Sequence, residues 1–213
     1  MGAMPTNRET APAHETFRAA SAPWLTGFLV LLGILVGVAG WGRTPAHHAA
    51  AVCGALALAS LGYGLYWRPR LEVHDREVRL VNPLRTVSVP WERIVDVTTR
   101  FAVTLVTADG RYSSFALPSA GAGASFRAGA DAVNRNHPIA RPDGSVRVGD
   151  LTSTASGAAA HRVRSEWQRR IETGEIDVFA DRGEPAAVRT RWVPGPLAAT
   201  LVLGAASAVL FTV

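Results

Sequence analysis

Few side chains in this sequence stand where they could do covalent chemistry. His47 and His48 are adjacent, so their rings cannot easily share one metal ion, and they read as a loop pair at an outer interface. His137 and His161 have no partner at a useful spacing and read as surface residues. The single cysteine, Cys53, lies within an apolar run with no neighbouring base to activate its thiol. One cysteine also excludes an intrachain disulfide. Gly121 and Gly123 belong to neither the G-x-x-x-x-G-K-[ST] nor the G-x-G-x-x-G pattern that cradles phosphate, and no H-E-x-x-H or C-x-x-C is present. The sequence assigns no catalytic, cofactor-binding or metal-binding residue, and the expectation is a protein that is not an enzyme. What remains is electrostatic. Arg68, Arg70, Arg189 and Arg191 flank uncharged runs. Each arginine near a membrane surface adds roughly 1 kcal/mol of attraction to anionic lipid. The same four residues serve equally to fix topology, and that plainer role is the favoured one.

Three uncharged runs decide what positions these residues. Residues 19–42, 44–67 and 192–213 contain no Asp, Glu, Lys or Arg. A hydrocarbon core of roughly 30 Å needs about 20 mostly apolar helical residues. The next longest uncharged run, 112–126, is shorter and full of Ser and Gly. The sequence therefore predicts three transmembrane helices: a hairpin within 23–67, drawn at about 24–40 and 49–66, and a third span over 192–213. Trp24 and Trp41 bracket the first, Tyr63, Tyr66 and Trp67 close the second, and Trp192 opens the third, where amphipathic rings favour the headgroup level. Small residues recur on both hairpin helices. Gly33 and Gly37 have the small-xxx-small spacing that lets helix backbones approach closely in lipid. The segment before the first span carries both charge signs, and the span exceeds the roughly 7–15 apolar residues of a signal peptide, so it reads as retained.

All 22 basic residues are arginine. With abundant Ala, Gly and Val, this composition suggests a GC-rich source such as an actinobacterium. The net charge of +5 is modest, and the arginines alternate with acids, so nucleic acid is not an expected partner. Arg8 and Arg18 precede the first span, Arg43 alone lies between the first two, and the others fall in the central region. The positive-inside rule places the tail and central region in the cytoplasm and the hairpin loop outside.

From Leu71 to Leu117 the periodicity changes to two. Leu71 and Val73, Val78 and Leu80, and Val87 and Val89 alternate with polar residues, and Val95, Val97, Phe101, Val103 and Leu105 keep one parity. This pattern marks strands with one buried face. His74-Asp75 and Asn82-Pro83 supply turns, and Asp109-Gly110 favours a two-residue type I′ hairpin. About six short strands at this spacing imply a small antiparallel barrel or sandwich. Pro90 lacks a donor and belongs at a strand end. Trp91 and Ile94, three apart, fall on one face of a single helical turn that would plug the barrel as a core anchor.

The run from Trp67 to Ile94 resembles the bacterial pleckstrin-homology (PH)-like domain of actinobacterial membrane proteins. The most telling piece is Val89-Pro90-Trp91-Glu92-Arg93-Ile94, followed by Asp109-Gly110-Arg111 and Phe115-Ala116-Leu117-Pro118. The resemblance implies a bent antiparallel barrel, closed by a C-terminal helix and placed directly after a transmembrane hairpin. It implies a fold more than a function. In the PH domains that bind phosphoinositides, a basic cluster occupies the first hairpin loop. His74-Asp75-Arg76 holds one acid and one arginine there, which argues against specific inositol-lipid recognition.

The expected organisation is a flexible tail over 1–22, the hairpin over 23–67, the PH-like domain over 68–136, an irregular loop over 137–157, an amphipathic helix and connector over 158–191, and the third span over 192–213. Residues 124–135 offer a closing helix. In the later helix, Val163, Trp167 and Ile171 form an apolar stripe, with Trp167 as its anchor. Two uses stay open for it, packing on the barrel or lying on the inner leaflet, the shortness of the stripe favouring packing. The fold class expected is membrane α+β, with capping helices on the cytoplasmic side. The function expected is a membrane-anchored interaction protein or accessory subunit in a bacterial plasma membrane, binding a membrane-protein partner or a second copy of itself. The alternative is a protein that senses or handles inner-leaflet lipid. No acid or base lies within the spans, which argues against an ion or proton path.

Overall fold

The structure is a computed structural model, and it describes residues 15–40, 44–118, 154–176 and 186–212. The sequence readings of a helix at 124–135, of most of the 137–157 loop, of His137 and of the glycines at 121 and 123 lie outside those residues. Elements follow in chain order: β1 (Glu15–Phe17), α1 (Ala22–Ala39), α2 (Pro45–Gly62) with a π-helical turn (Tyr63–Trp67), β2 (Arg70–Val73), β3 (Glu77–Val81), β4 (Arg85–Pro90), a 3-10 turn (Trp91–Arg93), β5 (Ile94–Thr98), β6 (Ala102–Thr107), β7 (Gly110–Pro118), α3 (Ala155–Glu172), β8 (Arg189–Trp192) and α4 (Gly195–Thr212).

α1, α2 with its π turn, and α4 are each long and apolar enough to cross a membrane. α2 is the middle helix. It packs antiparallel to α1 on one side and to α4 on the other. In lipid no hydrophobic force separates helix from solvent, so close packing and interhelical hydrogen bonds must hold the bundle. Both are present. A Cβ built on Gly33 would lie 2.9 Å from the Ala55 carbonyl oxygen, so only glycine permits that approach of α1 to α2. Ser207 Oγ donates to the Ala50 carbonyl at 2.8 Å, Ser60 Oγ to the Pro196 carbonyl at 2.8 Å, and Thr26 Oγ1 to the Gly62 carbonyl at 3.3 Å.

The remaining elements form a PH-like sandwich of two antiparallel sheets. One runs β1-β2-β3-β4-β8 and the other β5-β6-β7. The inward parity read from the sequence holds for Leu71, Val78, Leu80, Val87, Val89, Val97, Val103 and Leu105, all buried. It fails for Val95 and Phe101, which are 60% and 77% exposed. A register shift between Ile94 and Asp96 turns Val95 outward, and Phe101 sits in the β5–β6 turn. The β6–β7 hairpin also turns one residue earlier than read. Thr107 pairs with Gly110, leaving Ala108 and Asp109 in the loop. Neither has positive φ, so the turn is not type I′; Gly110, at φ 156°, absorbs the unusual backbone. α3 packs on the sandwich through Ala159, Ala160 and Val163, all fully buried, with Trp167 and Ile171 at the margin. Of the two uses open for this helix, packing is the one observed.

Several boundaries differ from the sequence reading. α2 begins at Pro45, ahead of the expected 49, so His47 and His48, read as a loop pair, lie in its first turns, and α3 begins at Ala155 rather than 158. Residues 15–17, placed in the tail, form a strand paired with β2, Glu15 opposite Val73 and Phe17 opposite Leu71. Residues 189–192, placed in the connector and at the start of the third span, form a strand paired with β4, Arg85 opposite Trp192. Both are short segments without alternation, and edge pairing of the backbone needs none. Gly33→Val is expected to lower the thermal stability of the detergent-solubilised chain by about 1–3 kcal/mol through overpacking. Gly27→Val, where a Cβ meets nothing within 4 Å, should leave it unchanged in the same melting measurement.

Candidate functional site at the seam of helices and sheet

Each of the three apolar helices joins the same sheet over a very short connection. β1 leads into α1 across residues 18–21, the π turn leads into β2 across 68–69, and β8 leads into α4 across 193–194. Backbone groups leaving an apolar environment still need partners, and one arginine supplies several. Arg68 donates from Nη1 to the Asn82 and Pro83 carbonyls, the latter at 3.1 Å, and from Nη2 to Thr86 Oγ1 at 3.2 Å. The β3–β4 turn is thereby clamped to the end of the second helix. Val193 N–H donates to the Leu84 carbonyl at 2.7 Å, tying the start of α4 to the same turn. Asn82 bridges the two sheets: its Nδ2 donates to the Ser113 carbonyl at 2.9 Å, and its Oδ1 accepts from Phe115 N–H at 2.8 Å. Arg18 stacks over Trp67 with 5.3 Å to the ring centroid.

These clamps hold the sheet against the helix ends without filling the space between them. A cavity of about 940 Å³ remains at the seam. Ala22 and Leu25 of α1, Leu65 and Tyr66 of the π turn, Leu197 of α4, Leu84 of the β3–β4 turn and Phe115 of β7 contribute to its wall. The few polar groups on the lining divide into used and unused. Asn82 is spent on the bridge, and the Ser113 hydroxyl pairs with Thr104 Oγ1 at 2.9 Å. Ser114 is 1% exposed, and its Oγ has no partner among the described residues. Arg85 lines the same cavity and makes no ion pair or side-chain hydrogen bond among the described residues.

The four arginines singled out from the sequence separate into two pairs. Arg68 is the turn clamp, and Arg70 bonds Glu72 Oε1 at 2.5 Å and the Arg68 carbonyl at 3.1 Å. Arg189 and Arg191 stand exposed on the edge strand β8. The structural anchors take the following places. Trp91 is 1% exposed on the 3-10 turn, with its indole N–H donated to the His74 carbonyl at 2.9 Å. Ile94 is buried beside it, and Trp167 is partly buried against the core. Arg170 lies over the Trp91 ring at 5.1 Å. Sequence reasoning missed Asn82, Arg85 and Ser114. Asn82 reads as a turn residue ahead of Pro83. Ser114 shares inward parity with Ala116 on β7, a weak signal for a hydroxyl facing inward.

A second charged cluster organises α3. Glu166 accepts from Arg162 at 3.3 Å, Arg169 at 2.7 Å and Arg170 at 2.9 Å, and Arg162 also reaches Glu15 of β1 at 2.7 Å. The hydrogen bond from Arg169, opposed by burial and aided by the charges of Arg169, Arg170 and Arg162, holds the Glu166 carboxyl below the usual carboxylate range. Burial works against the Glu72 carboxylate, but the hydrogen bonds and charges of Arg70 and His74 outweigh it and lower that group too. The described residues contain no group of three His, Cys, Asp or Glu that could hold a metal ion.

A family model described as Bacterial PH domain matches residues 68–138. The chain thus carries a bacterial PH-like domain, and β2 to β7 all fall inside the match. β1, α3 and β8 lie outside it. No curated protein and no solved structure matches the chain.

The depressed Glu166 carboxyl predicts a pH dependence of definite sign. Its contribution to stability is present above the unfolded-state value of about 4.3 and is lost as pH falls through the lower folded value. Glu166→Gln is expected to cost about 1–3 kcal/mol near neutrality, because three arginines lose a charged acceptor. Melting curves between pH 3 and 7 should show the wild-type advantage over the variant shrinking toward the acid end; a constant gap would contradict the assignment.

Proposed function

We propose that this membrane-associated PH-domain protein is a non-catalytic accessory subunit that presents its domain to a membrane-protein partner at the cytoplasmic face of the plasma membrane. The observation that carries the reading is the triple connection of one sheet to three apolar helices. A domain that needed only to be concentrated at a membrane could hang on a flexible linker. Three connections of two to four residues instead fix its height and rotation. Fixed orientation matters when the partner is also held in the bilayer, because both then meet in one geometry with less entropy to lose. The cytoplasmic placement rests on arginine distribution: Arg68, Arg70, Arg189 and Arg191 all lie on the domain side of the helices, and only Arg43 falls between the first two spans.

Engagement of inner-leaflet lipid is the second reading. The seam cavity supports it, being apolar and lined by the ends of α1 and α4. The exposed arginines of β8 support it more weakly, since separate surface charges contribute little each.

Extraction of the tagged chain from its own membranes in mild detergent, followed by quantitative mass spectrometry, is expected to recover a stoichiometric membrane partner. Inserting a flexible linker of about ten Gly and Ser residues between Trp192 and Gly195 should release that partner while the chain stays membrane-integrated, because the linker abolishes fixed orientation. Recovery of the wild-type chain alone, or retention of the partner by the linker variant, would contradict the accessory reading. A topology reporter fused after Gly110 should be active on the cytoplasmic side; activity on the opposite side would overturn the orientation.

A further inference from the structure

We propose that the seam cavity is a binding site for one anionic phospholipid of the adjoining leaflet, an acyl chain lying inside and the headgroup phosphate meeting Arg85. This inference rests on the inner-leaflet lipid reading of the same seam and deepens it, and it does not depend on the accessory reading.

Three observations converge. The first is size and character. A volume of about 940 Å³ is at the upper end of ligand pockets, which run roughly 300–1,000 Å³ and combine apolar walls with a few orienting polar groups. The second is position. Leu25 of α1 and Leu197 of α4 belong both to the cavity wall and to helices long enough to span the bilayer, so the cavity is continuous with the lipid-facing surface. A hydrocarbon chain enters it without crossing water. The third is the unused polarity. Arg85 carries a guanidinium on the cavity lining with no ion pair or side-chain hydrogen bond among the described residues, and guanidinium matches phosphate in geometry as well as charge. Largely apolar walls with one cation, Arg85, describe an anionic amphiphile more closely than a peptide, whose backbone would need several donors and acceptors along its length.

The alternative occupants are a zwitterionic lipid held by its chain alone and ordinary annular lipid held nowhere in particular. The full chain, reconstituted in nanodiscs, is labelled with a phosphatidylglycerol probe carrying a diazirine on its acyl chain, and cross-linked peptides are mapped by mass spectrometry. The expected label concentrates on 113–118 and on the first turns of α1 and α4, and unlabelled phosphatidylglycerol competes it away saturably. Ala102→Phe, which fills the cavity from a partly exposed position, should reduce labelling of 113–118 by about tenfold or more, equivalent to at least 1.4 kcal/mol of lost affinity. Arg85→Gln should reduce labelling by phosphatidylglycerol several-fold and leave labelling by a matched phosphatidylcholine probe unchanged. Equal labelling of 113–118 by both probes in the wild type would overturn the anionic assignment. Label spread along the outer faces of the helices, non-saturable and insensitive to Ala102→Phe, would overturn the site. Should Ala102→Phe fail to fold by its melting curve, saturable competition in the wild type and the Arg85→Gln contrast decide the matter by themselves.

Discussion

The structure depends on what the backbone does as it leaves the apolar layer. Within two to four residues of each helix end, the chain enters one hydrogen-bonded sheet, at β1, β2 and β8. Peptide groups at such boundaries must find partners quickly, and ladder bonds with neighbouring strands provide them. Arg68 completes the arrangement by serving two carbonyls of the β3–β4 turn at once. The PH-like core itself lies in β2 to β7 and α3, where Leu71, Leu80, Trp91, Leu105 and Leu117 are wholly buried. Each such side chain contributes roughly 1.5–3 kcal/mol of transfer free energy. Core and bundle are therefore separately stabilised, and the junction strands set how one sits on the other.

That geometry also explains why a cavity exists. A sheet tied at three points to three helix ends cannot collapse onto them, since β1 and β8 hold opposite edges of the five-stranded sheet. Asn82 spans the two sheets beside the gap. The rigid attachment and the open seam are two results of one constraint. A lipid in the seam would touch α1, α4 and β7 together, so occupancy there would bear on how the domain is held.

The sequence made parts of this legible and others not. Uncharged length alone located all three apolar helices, because a membrane span is a strong one-dimensional signal. Period-two alternation located most core positions of β2 to β7. It misled at Val95 and Phe101, where a bulge and a turn change parity without altering composition. β1 and β8 were invisible because edge strands paired through backbone atoms need no particular side-chain pattern; Arg189-Thr190-Arg191-Trp192 reads equally well as a charged connector. The seam was illegible for a different reason. Leu25, Leu84, Phe115 and Leu197 each look ordinary along the chain, and only the fold brings them around one space. Arg68 and Arg189 look alike in sequence, yet one is a turn clamp and the other stands exposed on an edge.

Hydrogen exchange of the full chain in lipid nanodiscs tests the central claim most directly, read on peptides covering 15–18 and 189–192. If the junction segments are strands of the sheet, their exchange is slowed together with that of β4 and is released in step with it on destabilisation. Exchange at unstructured-peptide rates in both segments, while β2 to β4 stay protected, would mean that the sheet is not joined to the first and third helices, and the account would be wrong.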